Sequence, residues 1–149
     1  MTGNFIVGIG GSGSGFEAAR KAADLAAAIG ASLIMVFGYE TSALGPRGGP
    51  LEERITEVGE EAIGIICEEL ASTHPNLVVE VSFVAQRPAD ALISVAAEHP
   101  NSVIAVGHGG QGPLRAALLG NVTYEIVHRS TVPVLVVPDD KDDEIVGSP

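Results

Sequence analysis

The residues with the clearest chemical use in this chain are three glycines, Gly107, Gly110 and Gly120, in the stretch VIAVGHGGQGPLRAALLGNV from Val103 to Val122. Two residues separate the first pair and nine the second; Gly109 and Gly112 lie among them, and Asn121 follows Gly120. A glycine puts no Cβ between its backbone and a ligand, so successive N–H groups can close on an anion. The first turn of a helix adds free amides and a favourable dipole. Here an apolar strand runs into the glycines, and a helix reads from about Val122 to His128. That is the outline of a phosphate cradle, and it points to nucleotide binding.

A second glycine loop, GIGGSG from Gly8 to Gly13, follows another apolar stretch, Phe5–Ile9. It satisfies the GxGxxG spacing of dinucleotide folds, with Glu40 as a candidate acid near the end of the next strand. A chain of 149 residues is too short for two mononucleotide halves plus a catalytic region, so a tight turn with close helix packing is the preferred reading. Neither loop contains the Gly-Lys-Ser/Thr of a P-loop, and Ser12 and Ser14 lack the flanking of a nucleophile elbow. His74, His99, His108 and His128 do not cluster at metal-ligand spacing with acids or with Cys67. Three of them fall at expected helix ends, where they read as caps. His108 lies in the glycine loop and is a candidate phosphate contact. Arg115, inside the nine-residue spacer, reads equally as a screen for phosphates or as a solvated surface side chain. Cys67 reads as a small core residue. No residue stands out as a positioned general base, so the pattern favours binding over catalysis, with a weak ATPase as the most that chemistry allows.

These loops must be held by elements that alternate. Ser14 and Glu17 have the spacing of a capping box, and Phe16, Ala19, Ala23, Ala26 and Ile29 follow at helical spacing up to a C-terminal cap at Gly30. Ser32–Phe37 is a second buried strand, and Thr41–Pro50, with GPRGGP, reads as a surface loop. Leu51, Ile55, Val58, Ala62, Ile65 and Ile66 mark a long amphipathic helix ending before Pro75. Leu77–Val84 is a third strand, and Pro88 opens a helix whose Ala91, Leu92, Val95 and Ala96 face inward before Pro100. Val103–Val106 and Val132–Val137 are the fourth and fifth strands. Residues 1–138 read as one domain, and 139–149 as an acidic, solvated tail. The alternation predicts an α/β fold, a five-stranded parallel open sheet with helices on both faces. Ligands bind such sheets beyond the strands' carboxyl ends, where strand order reverses. Both glycine loops line one crevice if the first and fourth strands are neighbours.

Composition agrees. The core must come from Val, Ile, Leu and Ala, because aromatics are 4% of the chain and tryptophan is absent. A net charge of −11, with eight basic residues scattered singly apart from Arg20–Lys21, argues against nucleic acid as a partner. Backbone amides and a divalent cation can still meet a nucleotide's phosphates. One cysteine excludes an internal disulfide and fits a reducing compartment. No signal-like start and no apolar run near the roughly 20 residues of a membrane span are present, so the expected location is cytoplasmic, with no membrane partner.

With these residues in place, the chain resembles the universal stress protein family over nearly its whole length. The family's nucleotide motif is Gly, two residues, Gly, nine residues, Gly, then Ser or Thr. Gly107, Gly110 and Gly120 match its glycines, and Asn121 stands at the hydroxyl position. VTYEIVHRSTVPVLVVP, Val122–Pro138, is similar to the family's closing helix and last strand, and FIVGIGGS with its Ala-rich helix to the opening. The resemblance implies a Rossmann-like, adenine nucleotide alpha hydrolase-like fold with the first and fourth strands adjacent. It also implies a homodimer formed partly through Val132–Val137, and ATP or AMP in the crevice, with Mg2+ as a candidate companion. Gly107, Gly110, Gly120, Asn121 and Val122 would surround the phosphates and ribose, and Gly10, Gly11 and Gly38 would lie near base and sugar; Ser12, His108 and Thr123 complete the candidate nucleotide-binding set. Two departures stand out. Gly10 replaces the family's usual Asp before the first loop's Gly-Ser, and Asn121 replaces the hydroxyl. They open the alternative of a dimeric interaction module that has lost nucleotide binding.

Overall fold

The structure, a computed structural model, describes residues 3–11, 13–40, 49–108 and 120–138. The elements run β1 (Asn4–Gly8), α1 (Phe16–Ile29), β2 (Ser32–Gly38), α2 (Pro50–Thr73), β3 (Val79–Val84), α3 (Pro88–Ala97), β4 (Ser102–Gly107), α4 (Asn121–Arg129) and β5 (Val134–Val137). The strands form one parallel sheet in the order β3-β2-β1-β4-β5. Strand order therefore reverses between β1 and β4, which pair from Asn4↔Ser102 to Val7↔Ala105.

Side chains on successive strand residues go to opposite faces, and two cores result. Phe5, Val7, Leu33, Met35 and Phe37 pack with α1 and α2, while Ile6, Ile34, Val36, Ile104 and Val106 pack with α3 and α4. On α1 the buried face is all alanine (Ala18, Ala19, Ala22, Ala23 and Ala26), which lets the helix backbone lie close to the sheet. Cys67 packs partly buried against the first core, and burial raises its thiol pKa.

Several sequence expectations need correction. The capping box at Ser14 and Glu17 does not form. Helix α1 starts at Phe16 behind Gly15, whose φ of 92° is left-handed, and no side chain caps the end. A capping box requires an extended N-cap, and Gly15 removes that geometry. Glu17 bonds Arg20 instead. Ile29 is 69% exposed, beyond the buried alanine face. On α2 the buried face is Gly59, Ala62, Ile63, Ile66 and Leu70, so Leu51, Val58 and Ile65 stay exposed. The helix is rotated because Gly59 sits against the Phe37 ring, where a Cβ would come within 2.6 Å. Pro50 belongs to the first turn of α2, and the rest of the expected Thr41–Pro50 loop, up to residue 48, lies outside the described residues, as does the tail from 139. The third and fifth strands begin later than expected, at Val79 and Val134. Gly30 caps α1 as expected, with φ 78° and its N–H donating to Ala26 O.

Candidate functional site

A cavity of about 660 Å3 opens beyond the carboxyl ends of β1, β2 and β4, within the size range of small-molecule sites. Gly10 and Gly11 line one side, Gly38 the end of β2, and Gly107, Gly120, Asn121, Val122 and Thr123 the other side. The structure thus brings eight of the sequence-predicted residues to one crevice. Ser12 and Gly110 lie outside the described residues, as does Arg115. His108 is not among the lining residues; its backbone ties the loop to the sheet.

The local chemistry builds that tie. His108 N–H donates to Val137 O at 2.9 Å, on the β5 side of β4. In a trans peptide the preceding carbonyl points the opposite way, so Gly107 O faces β1, whose ladder with β4 has already ended at Val7↔Ala105. That carbonyl accepts a 2.6 Å bond from the buried hydroxyl of Thr123. The next carbonyl, His108 O, accepts from Gly120 N–H at 3.0 Å. Helix α4 is thereby fixed with its N-terminus at the crevice. Its backbone bonding begins with Tyr124 N–H on Gly120 O, so the amides of Asn121, Val122 and Thr123 precede the intrahelical ladder. The N-cap residue, Gly120, has no side chain with which to take them.

On the first loop, Gly10 N–H donates to Ser14 O and Gly13 N–H to Gly10 O, a tight turn that carries the chain into α1. This is the turn expected of GIGGSG. A Cβ at Gly15 would run into Gly8 O, and one at Gly11 would come within 2.6 Å of Val58 Cγ1. The cavity's apolar walls are Ile9, Val36, Phe37, Tyr39, Ile55, Leu92 and Val106. Tyr39 stacks on Phe37 with centroids 5.9 Å apart. Sequence reasoning missed these walls, although strand periodicity places Val36 and Phe37 at the end of a buried strand. Among the described lining residues none carries a charged side chain.

A smaller adjoining cavity of about 320 Å3 is lined by Glu40, Arg87 and Glu125 with residues of the main crevice. Arg87 and Arg129 bridge Asp90 of α3 and Glu125 of α4 at 2.9–3.3 Å. Arg129 first, then Arg87, holds the Asp90 carboxyl below its ordinary range. Of the helix-end histidines, His99 and His128 place Nδ1 at 2.9 and 3.0 Å from the carbonyls of Val95 and Tyr124, as caps do. His74 pairs with Asp24 instead. Among the described residues no group of His, Cys, Asp and Glu could hold a metal ion, and no helix is long and apolar enough to cross a membrane.

An open parallel sheet with a crevice at its switch point, uncharged among the described residues, defines a doubly wound α/β domain. The sequence profile of the Universal stress protein family matches residues 1–138, and the chain belongs to that family. Among solved structures, a universal stress protein in complex with cAMP is 28% identical, with a TM-score of 0.62 over 92% of this chain and 97% of that one. Universal stress protein UspA from Lactobacillus plantarum is 22% identical, with a TM-score of 0.70 over 91% and 97% of the two chains. A universal stress protein from Archaeoglobus fulgidus in complex with dAMP is 18% identical, with a TM-score of 0.61 over 92% and 98%. The last two speak to the fold alone. No curated protein sequence matches this chain.

Proposed function

We propose that the crevice binds an adenine nucleotide, AMP or ATP, and that the protein is a cytoplasmic, nucleotide-responsive regulator. The observation that carries this reading is the unladdered first turn of α4, held by Thr123 and Gly120 at the mouth of a cavity of about 660 Å3 whose described lining is uncharged. Amides at such a turn favour a phosphate, and the apolar walls suit a purine. The cAMP complex of a relative 28% identical to this chain supports the same ligand class. Gly107, Gly110, Gly120, Asn121 and Val122 are assigned to phosphate and ribose, and Gly10, Gly11, Ser12 and Gly38 to base and sugar. The described lining offers no carboxylate for Mg2+, a cation that takes charged oxygen ligands; that donor set fits a protein-held cation poorly, and the reading needs none. It also offers no acid or base positioned for hydrolysis, which favours a sensor over an ATPase.

The proposed homodimer forms through Val132–Val137, which includes β5, the edge strand opposite β3 among the described strands. Calorimetric titration of AMP and ATP into protein freed of endogenous ligand tests the nucleotide reading. Saturable heat is expected, and none at millimolar nucleotide overturns it. One observation favours a second reading. Gly10 brings no carboxylate to the cavity and Asn121 no hydroxyl, as in a module that has lost its nucleotide. Under that reading the native chain gives no heat and Gly10→Asp with Asn121→Ser restores binding.

A further inference from the structure

We infer that Thr123 is a positioning residue for anionic ligands, acting through the Gly107 carbonyl; the inference rests on the nucleotide reading above. Gly107 O points to the β1 side of β4, the side on which the crevice opens, since the same peptide's N–H is spent on β5. A strand-end carbonyl carries a partial negative charge, and left open beside the first turn of α4 it would repel any phosphate that turn attracts. Thr123 Oγ1 covers it with a 2.6 Å bond, and Gly120 N–H covers the next carbonyl, His108 O. Both strand-end acceptors beside the cradle are thus occupied by donors from α4 and its N-cap.

The direction of the bond matters. A capping hydroxyl commonly takes an amide of the first turn and so consumes a donor. Here the third helical residue donates outward to the strand, and its own amide has no backbone partner among the described residues. One hydroxyl therefore removes a repulsive lone pair and spares an attractive N–H. Thr123 is buried and sixteen residues from Gly107 in sequence, so the bond also fixes where the turn's amides point.

The test uses the full chain with Thr123→Val, which keeps the side chain's shape and removes the hydroxyl, and Thr123→Ser, which keeps the hydroxyl. AMP and adenosine are titrated into each by calorimetry, with thermal unfolding recorded alongside. For T123V the expected result is about a tenfold loss of AMP affinity, the size of one lost or repelled charged contact, with adenosine affinity within about twofold of wild type. For T123S both affinities stay near wild type. T123V binding AMP as wild type does, losing AMP and adenosine equally, or failing to give a cooperative melt overturns the assignment, as does T123S behaving like T123V. If wild-type protein binds neither AMP nor ATP, the nucleotide reading fails and takes this assignment with it; if it binds ATP alone, ATP replaces AMP in the same comparison, and wild-type binding that T123V leaves intact removes the assignment alone.

Discussion

At single residues, two glycines lining the same cavity lack a Cβ for opposite reasons. Gly15 has φ 92° and would drive a Cβ into Gly8 O. Its absence of side chain serves the fold, closing the turn between β1 and α1. Gly15→Ala is expected to cost about 1–3 kcal/mol, the scale of backbone strain at a position that tolerates only glycine, and to lower the urea midpoint. An unchanged midpoint would contradict this. Gly107 has no left-handed φ, and a Cβ there meets nothing within 4 Å among the described residues. Its absence of side chain serves the cavity. Gly107→Val should therefore melt near the wild-type temperature while AMP affinity falls by at least about tenfold, or roughly 1.4 kcal/mol. Equal losses of stability and affinity would show that Gly107, like Gly15, is structural.

At the level of elements, helices α1 and α2 are joined on their outer sides by Arg20, which reaches Glu69 through two bonds of 2.7 and 3.0 Å and Glu17 through one of 3.0 Å. The Arg20 hydrogen bond holds the Glu69 carboxyl below its ordinary value. A carboxyl depressed in the folded state stabilises above its unfolded pKa, near 4.3, and that contribution is lost as pH falls through the folded value. Both partners are more than a third exposed, so the pair is worth less than about 1 kcal/mol at neutral pH. Glu69→Gln should lower the urea midpoint at pH 7 and approach wild type near pH 3; a gap that stays constant with pH would mean packing, not charge. The elements themselves were largely legible, because strand runs such as Ser32–Phe37 and the alanine face of α1 carry their own periodicity. The rotation of α2 was not, since Gly59 contributes its fit to the Phe37 ring without any hydrophobic side chain to count. Nor was the Thr123–Gly107 bond, which depends on where β4 ends relative to α4. Of the glycine spacing, Gly107 and Gly120 line the crevice and Gly110 lies outside the described residues; the apolar walls were not legible, because Tyr39, Ile55 and Leu92 arrive from three separate segments.

For the whole molecule, the sheet order decides the result. With β1 beside β4, Gly10 and Gly11 share one opening with Gly107 and Gly120, and each helix pair closes one face of the sheet behind it. A ligand in that opening touches β1, β2, β4 and α4 together, so the folded state alone can offer the site. Binding only to the folded state raises stability by about 2.7 kcal/mol at a free ligand concentration one hundred times Kd. For a domain of this size each kcal/mol moves Tm by roughly 2–4 °C. AMP at that concentration should therefore raise the melting temperature by roughly 5–10 °C. Adenosine at the same concentration should give a smaller shift, because it leaves the α4 amides without an anion, and AMP with G107V should give about half the wild-type shift or less. Differential scanning calorimetry of the three combinations separates the sources. A shift that G107V leaves at its full wild-type size would place the ligand outside the crevice, and equal shifts with AMP and adenosine would remove the first turn of α4 from the site.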